Sequence, residues 1–200
     1  AVVDYGSSNL RSVVKAIEHV ADASVAVEVV STPQALLAAD RVVLPGQGAF
    51  AACRRGLDAL PGAIAALESR VRGDGVPFLG ICVGMQLMAE AGEEHGRHTG
   101  LGWIKGSVRQ ITPDDPAIKV PHMGWNDVVP VGDHPLILPG EAYFLHSFAF
   151  SGDHVLAHTH HGAPLVAAIG RDNVAGVQFH PEKSQHYGIA LLSRFLEWCP

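Results

Sequence analysis

The first ninety residues alternate short β-branched runs with stretches of helical period, and few folds accept that order. Ala1–Asp4 is apolar and stops at Gly6-Ser7-Ser8-Asn9, after which Leu10, Val13, Val14 and Ile17 recur at i, i+3, i+4, i+7, the period of an amphipathic helix. Val25–Val30 predicts a strand, and Thr32-Pro33 supplies an N-cap and first helical residue for a helix through Ala39. Arg41–Leu44 predicts the next strand, closed by Pro45-Gly46-Gln47-Gly48, and a helical region then runs to about Arg72 with a break near Pro61-Gly62. Asp74-Gly75 turns the chain into a strand at Val76–Ile81 and a helix at Val83–Ala89. Successive strands joined by helices return to the same end of a sheet, so the repeat predicts a parallel sheet with helices on its faces.

After Gly92 the pattern changes to short β-rich runs at Trp103–Ile111, Lys119–Val120, Asp127–Val131, Tyr143–Phe150, Val155–Thr159, Leu165–Ile169 and Val174–Phe179, separated by Gly, Pro, Asn and Asp. A last helix over Ser184–Trp198 buries Leu191, Leu192 and Phe195. The expected fold class is α/β: a three-layer sandwich whose central sheet is mixed and mainly parallel, with antiparallel strands in the second half. With no linker or repeat in view, residues 1–200 read as one domain.

Composition narrows the function classes. With 14 Lys+Arg against 20 Asp+Glu, the formal charge is −6, which argues against nucleic acid as a partner. No apolar run approaches the roughly 20 residues that span a bilayer, and the Ala1–Gly6 stretch, with its acid at position 4, does not read as a signal peptide. Three cysteines, Cys53, Cys82 and Cys199, make no disulfide framework and suit a reducing compartment, so a cytoplasmic location is expected.

Gly80-Ile81-Cys82-Val83-Gly84 follows a strand and opens a helix, the nucleophile-elbow pattern with sulfur in place of oxygen. A sharp strand-to-helix turn leaves no room for bulk on either side, which Gly80 and Gly84 satisfy. The turn places the sulfur at a helix N-terminus, which favours a thiolate, and leaves the Val83 N–H free to meet an oxyanion. The plain alternative is a small core cysteine between two convenient glycines. Cys53 and Cys199 have no comparable setting.

A base for that thiol is offered by Gly176-Val177-Gln178-Phe179-His180-Pro181-Glu182, where an extended segment would put His180 and Glu182 on one side, the carboxylate orienting the imidazole. Among 12 histidines a chance carboxylate neighbour is equally compatible. His158-x-His160-His161 reads as a solvated strand and turn. Without paired C-x-x-C or H-E-x-x-H motifs, neither metal nor cofactor is expected. Pro45-Gly46-Gln47-Gly48 has no P-loop lysine; it is either a flexible backbone donor beside the nucleophile or an ordinary strand-ending turn.

Together these segments resemble the class I, triad-type glutamine amidotransferases. The resemblance runs through Asp4-Tyr5-Gly6-Ser7-Ser8-Asn9-Leu10, Leu44-Pro45-Gly46-Gln47-Gly48-Ala49-Phe50, the elbow with Met85-Gln86-Leu87, Pro121-His122-Met123-Gly124-Trp125-Asn126, Tyr143-Phe144-Leu145-His146-Ser147 and Gln178–Ser184. The first segment, His122–Asn126 and Lys183-Ser184 look like the branch that serves imidazole glycerol phosphate synthase in histidine biosynthesis.

The resemblance implies a flavodoxin-like core and hydrolysis of L-glutamine to L-glutamate and ammonia. Cys82 would form a γ-glutamyl thioester, with His180 and Glu182 completing the triad. It implies an oxyanion hole from Val83 and the Gly46, Gln47, Gly48 loop, and glutamine binding by Gly48, Gln86, Ser147 and Phe148. It also implies a partner cyclase subunit, a (β/α)8 barrel that receives the ammonia, docked near His122, Met123, Gly124, Trp125 and Asn126, with Ser7, Ser8, Asn9 and Lys183 as further contacts. Two positions depart from the pattern: Gln47 stands where an aliphatic residue is usual, and Phe148 where tyrosine is common. Another cysteine-triad amidotransferase or a γ-glutamyl hydrolase on the same scaffold, and a non-catalytic interaction protein that kept the fold, are the competing readings.

Overall fold

A computed structural model describes residues 1–200. The first half is built of β1 (Val2–Val3), α1 (Leu10–Val20), β2 (Val29–Val30), α2 (Pro33–Leu37), β3 (Val42–Leu44), α3 (Phe50–Asp58), α4 (Ala63–Leu67), β4 (Phe78–Ile81) and α5 (Val83–Gln86), with a π-helical turn, Glu68–Gly73, extending α4. The second half contains β5 (Ala89–Gly92), β6 (His98–Thr99), β7 (Ile104–Gln110), β8 (His122–Pro130), β9 (Gly140–His146), β10 (Phe148–Gly152), β11 (Val155–His160), β12 (Pro164–Arg171) and β13 (Val174–Val177). A 3-10 turn, Pro181–Lys183, leads into α6 (Gln185–Glu197).

The fold is mixed α/β around a nine-stranded sheet of order β2-β1-β3-β4-β13-β12-β11-β8-β9. β2, β1, β3, β4 and β13 run parallel, and β12, β11, β8 and β9 continue the sheet antiparallel. The parallel strands are buried on both faces, as β1, β3, β4 and β13 show at every residue, which is why they read as unbroken apolar runs. The amphipathic face predicted for α1 is buried at Val13, Ala16 and Ile17, and Thr32 caps α2 by accepting the Ala35 N–H at 3.4 Å. A cluster of 50 buried residues runs from Val2 to Trp198. No helix is long and apolar enough to cross a membrane.

Four expectations are corrected. β2 shrinks to Val29–Val30 because it is the edge of the sheet and pairs on one side only. The helix after Cys82 ends at Gln86, since Leu87 and Met88 give their carbonyls to the N–H groups of Leu101 (2.7 Å) and Trp103 (2.9 Å), drawing the chain into β5. Lys119–Val120 is not a strand; β8 starts at His122 instead, paired with β9 from His122↔His146 to Val128↔Gly140. The run Tyr143–Phe150 breaks at Ser147, and β10 leaves for a second, four-stranded sheet of order β10-β7-β5-β6, which the alternating pattern gave no hint of.

Candidate active site

The parallel order β2-β1-β3-β4 is that of a doubly wound sheet, in which ligands bind beyond the carboxyl ends of the strands. Four such ends meet here: the Asp4–Asn9 turn after β1, the Pro45–Gly48 loop after β3, Cys82 after β4 and His180 after β13. β4 and β13 are direct neighbours, and the Cys82 N–H donates to the Val177 carbonyl at 2.8 Å. Residues nearly a hundred positions apart in the chain, Cys82 and His180, are thereby brought together at the carboxyl end of the central strands.

Cys82 has φ 53° and ψ −110°, a backbone state that costs a side-chain-bearing residue on the order of 1–3 kcal/mol and persists only where the surroundings impose it. The surroundings do impose it. A Cβ on Gly80 would lie 2.7 Å from the Gly84 carbonyl oxygen and the Met85 nitrogen, and one on Gly84 would collide with the Leu44 carbonyl. The elbow glycines are therefore required by contact. Val83 opens α5, and its N–H finds no backbone acceptor, as for the first donors of any helix.

The Pro45–Gly48 loop is less free than its composition suggests. A Cβ on Gly46 would strike the Gly84 nitrogen, so Gly46 is a packing glycine under the elbow; only Gly48, with φ 99° and open space around it, carries the conformational freedom. The Tyr5 hydroxyl donates to the Pro45 carbonyl at 2.5 Å, and the Cys53 thiol to the Gln47 carbonyl at 3.5 Å. The Gln47 side chain reaches outward to the Ser8 hydroxyl at 3.2 Å.

His180 is held by its backbone on both sides. Its N–H donates to the Tyr143 carbonyl at 2.9 Å, and its carbonyl accepts from the Ser184 hydroxyl at 2.7 Å, which in turn accepts the Tyr143 N–H at 2.9 Å. The imidazole Nδ1 lies 2.8 Å from Glu182 Oε1, with the two side chains 0% and 1% exposed. The pair is as expected, but the geometry is not that of an extended segment: Glu182 returns to His180 through the 3-10 turn, against which Gly188 of α6 packs directly. Burial disfavours the charged imidazole, yet the Cys82 side chain and the Glu182 carboxylate outweigh it and raise the pKa to about 9. Burial likewise opposes ionisation of Glu182, and the hydrogen bonds from His180 and Asn9 reverse that and hold its pKa below the ordinary value. His180 Nε2, on the side away from Glu182, is buried without a hydrogen-bond partner.

Beside Cys82 lies a cavity of about 310 Å³ whose wall includes Gln47, Gly48, Val83, Gln86, Ser147 and Phe148, so the residues expected around the oxyanion and the substrate converge there, Gly46 excepted. Its size suits a small metabolite. The carbonyls of Ser147 and Phe148 are used inside the fold, by Ile111 N–H in one case and by Gln86 Nε2 and His146 Nδ1 in the other. A larger cleft, about 710 Å³, lies at the β1–β2 edge against α6 and contains no cysteine or histidine.

Among the wall and near-wall residues, Glu94, the one acidic group lining the cavity, His146, and Gln178, fully buried beside the sulfur, had been given no role from the sequence. A glutamine inside the apolar Val174–Phe179 run was a readable signal, because a buried amide requires partners. No group of three or more His, Cys, Asp or Glu side chains is placed to hold a metal ion.

The residues expected at a partner surface divide in two. Met123 (64% exposed) and Trp125 (48% exposed) stand on the open face of β8 with Val129, Val131 just beyond the strand is exposed too, and so is Lys183. Ser7, Asn9 and His122 are buried instead. Asn9 donates to Glu182 Oε1 at 3.2 Å and accepts the Ser7 hydroxyl at 2.5 Å, so this pair braces the carboxylate from the β1 turn. His122 stacks between Phe144 and His161, which correlates with a half-buried His161 rather than a solvated one.

The family model for glutamine amidotransferase class-I matches residues 1–198. The chain belongs to the class-I glutamine amidotransferases. Within that family it is similar to curated proteins named imidazole glycerol phosphate synthase subunit HisH. The one from Zymomonas mobilis is 56% identical over 204 residues, covering 100% of this chain and 96% of that protein. The one from Rhodospirillum rubrum is 52% identical over 211 residues, covering 100% and 99%. Among solved structures, the fold is shared with a glutamine amidotransferase at TM-score 0.75 and 19% identity, covering 98% of this chain and 97% of that one. It is shared also with the glutaminase domain of Trypanosoma brucei CTPS with bound acivicin, at TM-score 0.65 and 18% identity, covering 100% and 94%. This amidotransferase thus has its Cys82, His180 and Glu182 at the strand ends of a sheet common to distant members.

Proposed function

We propose that this amidotransferase is the glutaminase subunit of imidazole glycerol phosphate synthase, with residues 1–200 acting as one domain in the cytoplasm. It releases ammonia from L-glutamine for a partner cyclase subunit, a (β/α)8 barrel. The observation that carries the reading is the full-length identity of about one half with relatives of that name. Support also comes from Met123, Trp125 and Val129, large apolar side chains exposed together on one face of β8 around Asp127, a composition that suits a protein contact.

In the proposed chemistry the Cys82 thiolate attacks the side-chain carboxamide carbon of glutamine. The oxyanion meets the Val83 N–H and a backbone donor of the Gly46–Gly48 loop, anchored through Tyr5 and Cys53. Protonated His180 gives its Nε2 proton to the departing nitrogen, the C–N bond breaks, and ammonia leaves a γ-glutamyl thioester on Cys82. Neutral His180 then takes a proton from water, whose oxygen attacks the thioester carbonyl, and glutamate departs as the thiolate is restored. Glu182 holds the ring by Nδ1, so Nε2 does the proton work, and Asn9 steadies Glu182. Gly48, Gln86, Ser147 and Phe148 line the substrate cavity, and Glu94 offers its carboxylate to the α-ammonium group. Met123, Gly124, Trp125, Asn126 and Lys183 form the proposed docking side.

The test is glutamate release from glutamine, with and without the purified cyclase subunit. The expected result is activity that rises with the cyclase and falls by about a thousandfold or more in Cys82→Ala. Glutaminase activity indifferent to the cyclase overturns the assignment, and activity that survives the substitution overturns the mechanism.

A further inference from the structure

Gln178 has no part in the triad, yet its amide lies against the nucleophile. It is 0% exposed, between Val177 and Phe179, with Nε2 3.6 Å from Cys82 Sγ and Oε1 accepting from Gln86 Nε2 at 3.0 Å. The direction of these bonds is forced. The Phe148 carbonyl can only accept, so the group of Gln86 that faces it at 3.0 Å is the amide nitrogen. The same nitrogen faces Gln178, which must present its oxygen there and its N–H groups to the sulfur.

The Phe148 carbonyl is itself held by His146 Nδ1 at 2.9 Å, and the same logic runs outward from it. Nδ1 of His146 must carry a proton, so its Nε2 accepts from His122 Nδ1 at 3.0 Å. His122 Nε2 then accepts from Asn126 Nδ2 at 2.9 Å. Burial and the neighbouring imidazoles push His122 down to about 3, and burial pushes His146 down to about 4, so both rings are neutral and each has one donor and one acceptor. Every bond between Asn126 on β8 and the Phe148 carbonyl therefore points the same way.

We infer that Gln178 is a positioning residue for the nucleophile, its amide N–H aimed at Cys82 Sγ and held there through Gln86 and the Phe148 carbonyl by the His146–His122–Asn126 chain. This rests on the reading of Cys82 as the nucleophile. A donor directed at sulfur stabilises the anion more than the neutral thiol, and it returns the sulfur to one place between attack and thioester hydrolysis. Gln178 and His180 leave the same strand end two residues apart, so the donor and the base keep a fixed relation to the sulfur.

The experiment compares wild type, Gln178→Met, which keeps length and volume without a donor, and Gln178→Glu, which offers an O–H only while protonated. Two readouts are taken with the cyclase subunit present. One is kcat and KM for glutamine; the other is the pH profile of Cys82 alkylation by iodoacetamide, with the modified peptide identified by mass spectrometry. In Gln178→Met, kcat falls about tenfold, KM stays within about twofold and the alkylation profile moves about one unit to higher pH. In Gln178→Glu, the deficit relative to wild type deepens from pH 6 to pH 8, which a space-filling role would not produce. A kcat and alkylation profile unchanged in Gln178→Met, or a pH-independent deficit in Gln178→Glu, overturns the inference. The Glu variant decides alone if the Met variant does not fold. Absence of glutamate release by wild type, with the alkylation shift intact, would instead fail the proposed function and leave the placement of Gln178 standing.

Discussion

Two buried histidine sites lie within a few residues' width of each other and are tuned in opposite directions. At the ends of the parallel strands, His180 is fully buried and is raised to about 9. At the join of antiparallel β8 and β9, His122 and His146 are 2% and 6% exposed and are lowered to about 3 and about 4. Burial acts the same way on all three, against the charged ring. What differs is the partner: His180 has a carboxylate and a thiol beside it, whereas His122 and His146 have imidazoles (each other and His161), an amide and a carbonyl. One chain thus builds a readily charged imidazole and a neutral linkage from the same side chain, and the choice is made by which groups the fold places around the ring.

The largest expected effect comes from removing that partner. Glu182→Gln keeps the shape and the Nδ1 contact but removes the charge, so the His180 pKa falls from about 9. Partner-stimulated glutamate release then drops by about 10²–10⁴. Steady-state kinetics and an NMR titration of the imidazole check this; a titration still near 9 would show that the thiol alone sets His180, and would break the comparison.

A second, smaller effect concerns stability, and the two sites contribute with opposite sign. For His122 and His146 the folded pKa lies below the ordinary value near 6.5, so their contribution is fully present above about 6.5 and is lost as pH falls towards 4 and 3. For His180 the folded pKa lies above it, so its contribution is present below about 6.5 and is lost as pH rises through about 9. Urea unfolding across pH 4 to 10 is expected to show a maximum near pH 6 to 7. His146→Gln should flatten the acid limb and leave the alkaline limb in place; an unchanged acid limb would mean that the imidazole pair is not its source.

The smallest effect on the chain itself is expected at the exposed stripe. Trp125→Ala, at a side chain 48% exposed, should change unfolding free energy by no more than about 0.5 kcal/mol. It should nonetheless weaken cyclase binding by about 2 kcal/mol or more, measured by calorimetry, because a large aromatic on an apolar patch is a typical anchor. A Trp125→Ala chain that loses stability but not affinity would place this ring in the fold rather than at the docking face.

Much of the site was legible because its determinants are local. The glycines around Cys82 answer to a turn made by their own neighbours, and Glu182 reaches His180 within one turn of chain. Even there the path was misjudged, since periodicity alone does not distinguish an extended segment from a 3-10 turn of three residues. The strand–helix alternation likewise announced the parallel sheet, because each buried strand must be apolar on both faces.

What stayed out of reach was set by contacts distant in sequence. Asn9 reaches Glu182 across 173 positions, and nothing around either residue encodes the meeting. Gly46 became a packing glycine only because the elbow, 38 residues on, lies against it. The second sheet arises where Ser147 splits one apolar run into β9 and β10, a decision taken by the available partners β8 and β7. By itself the sequence determined the elbow turn, the His180–Glu182 pairing and the parallel half of the sheet, through local sterics, short chain separation and periodicity. Only the tertiary structure decided the protonation of each buried histidine and the aim of the Gln178 amide, because proton affinity and hydrogen-bond direction depend on which groups long-range packing places around a side chain.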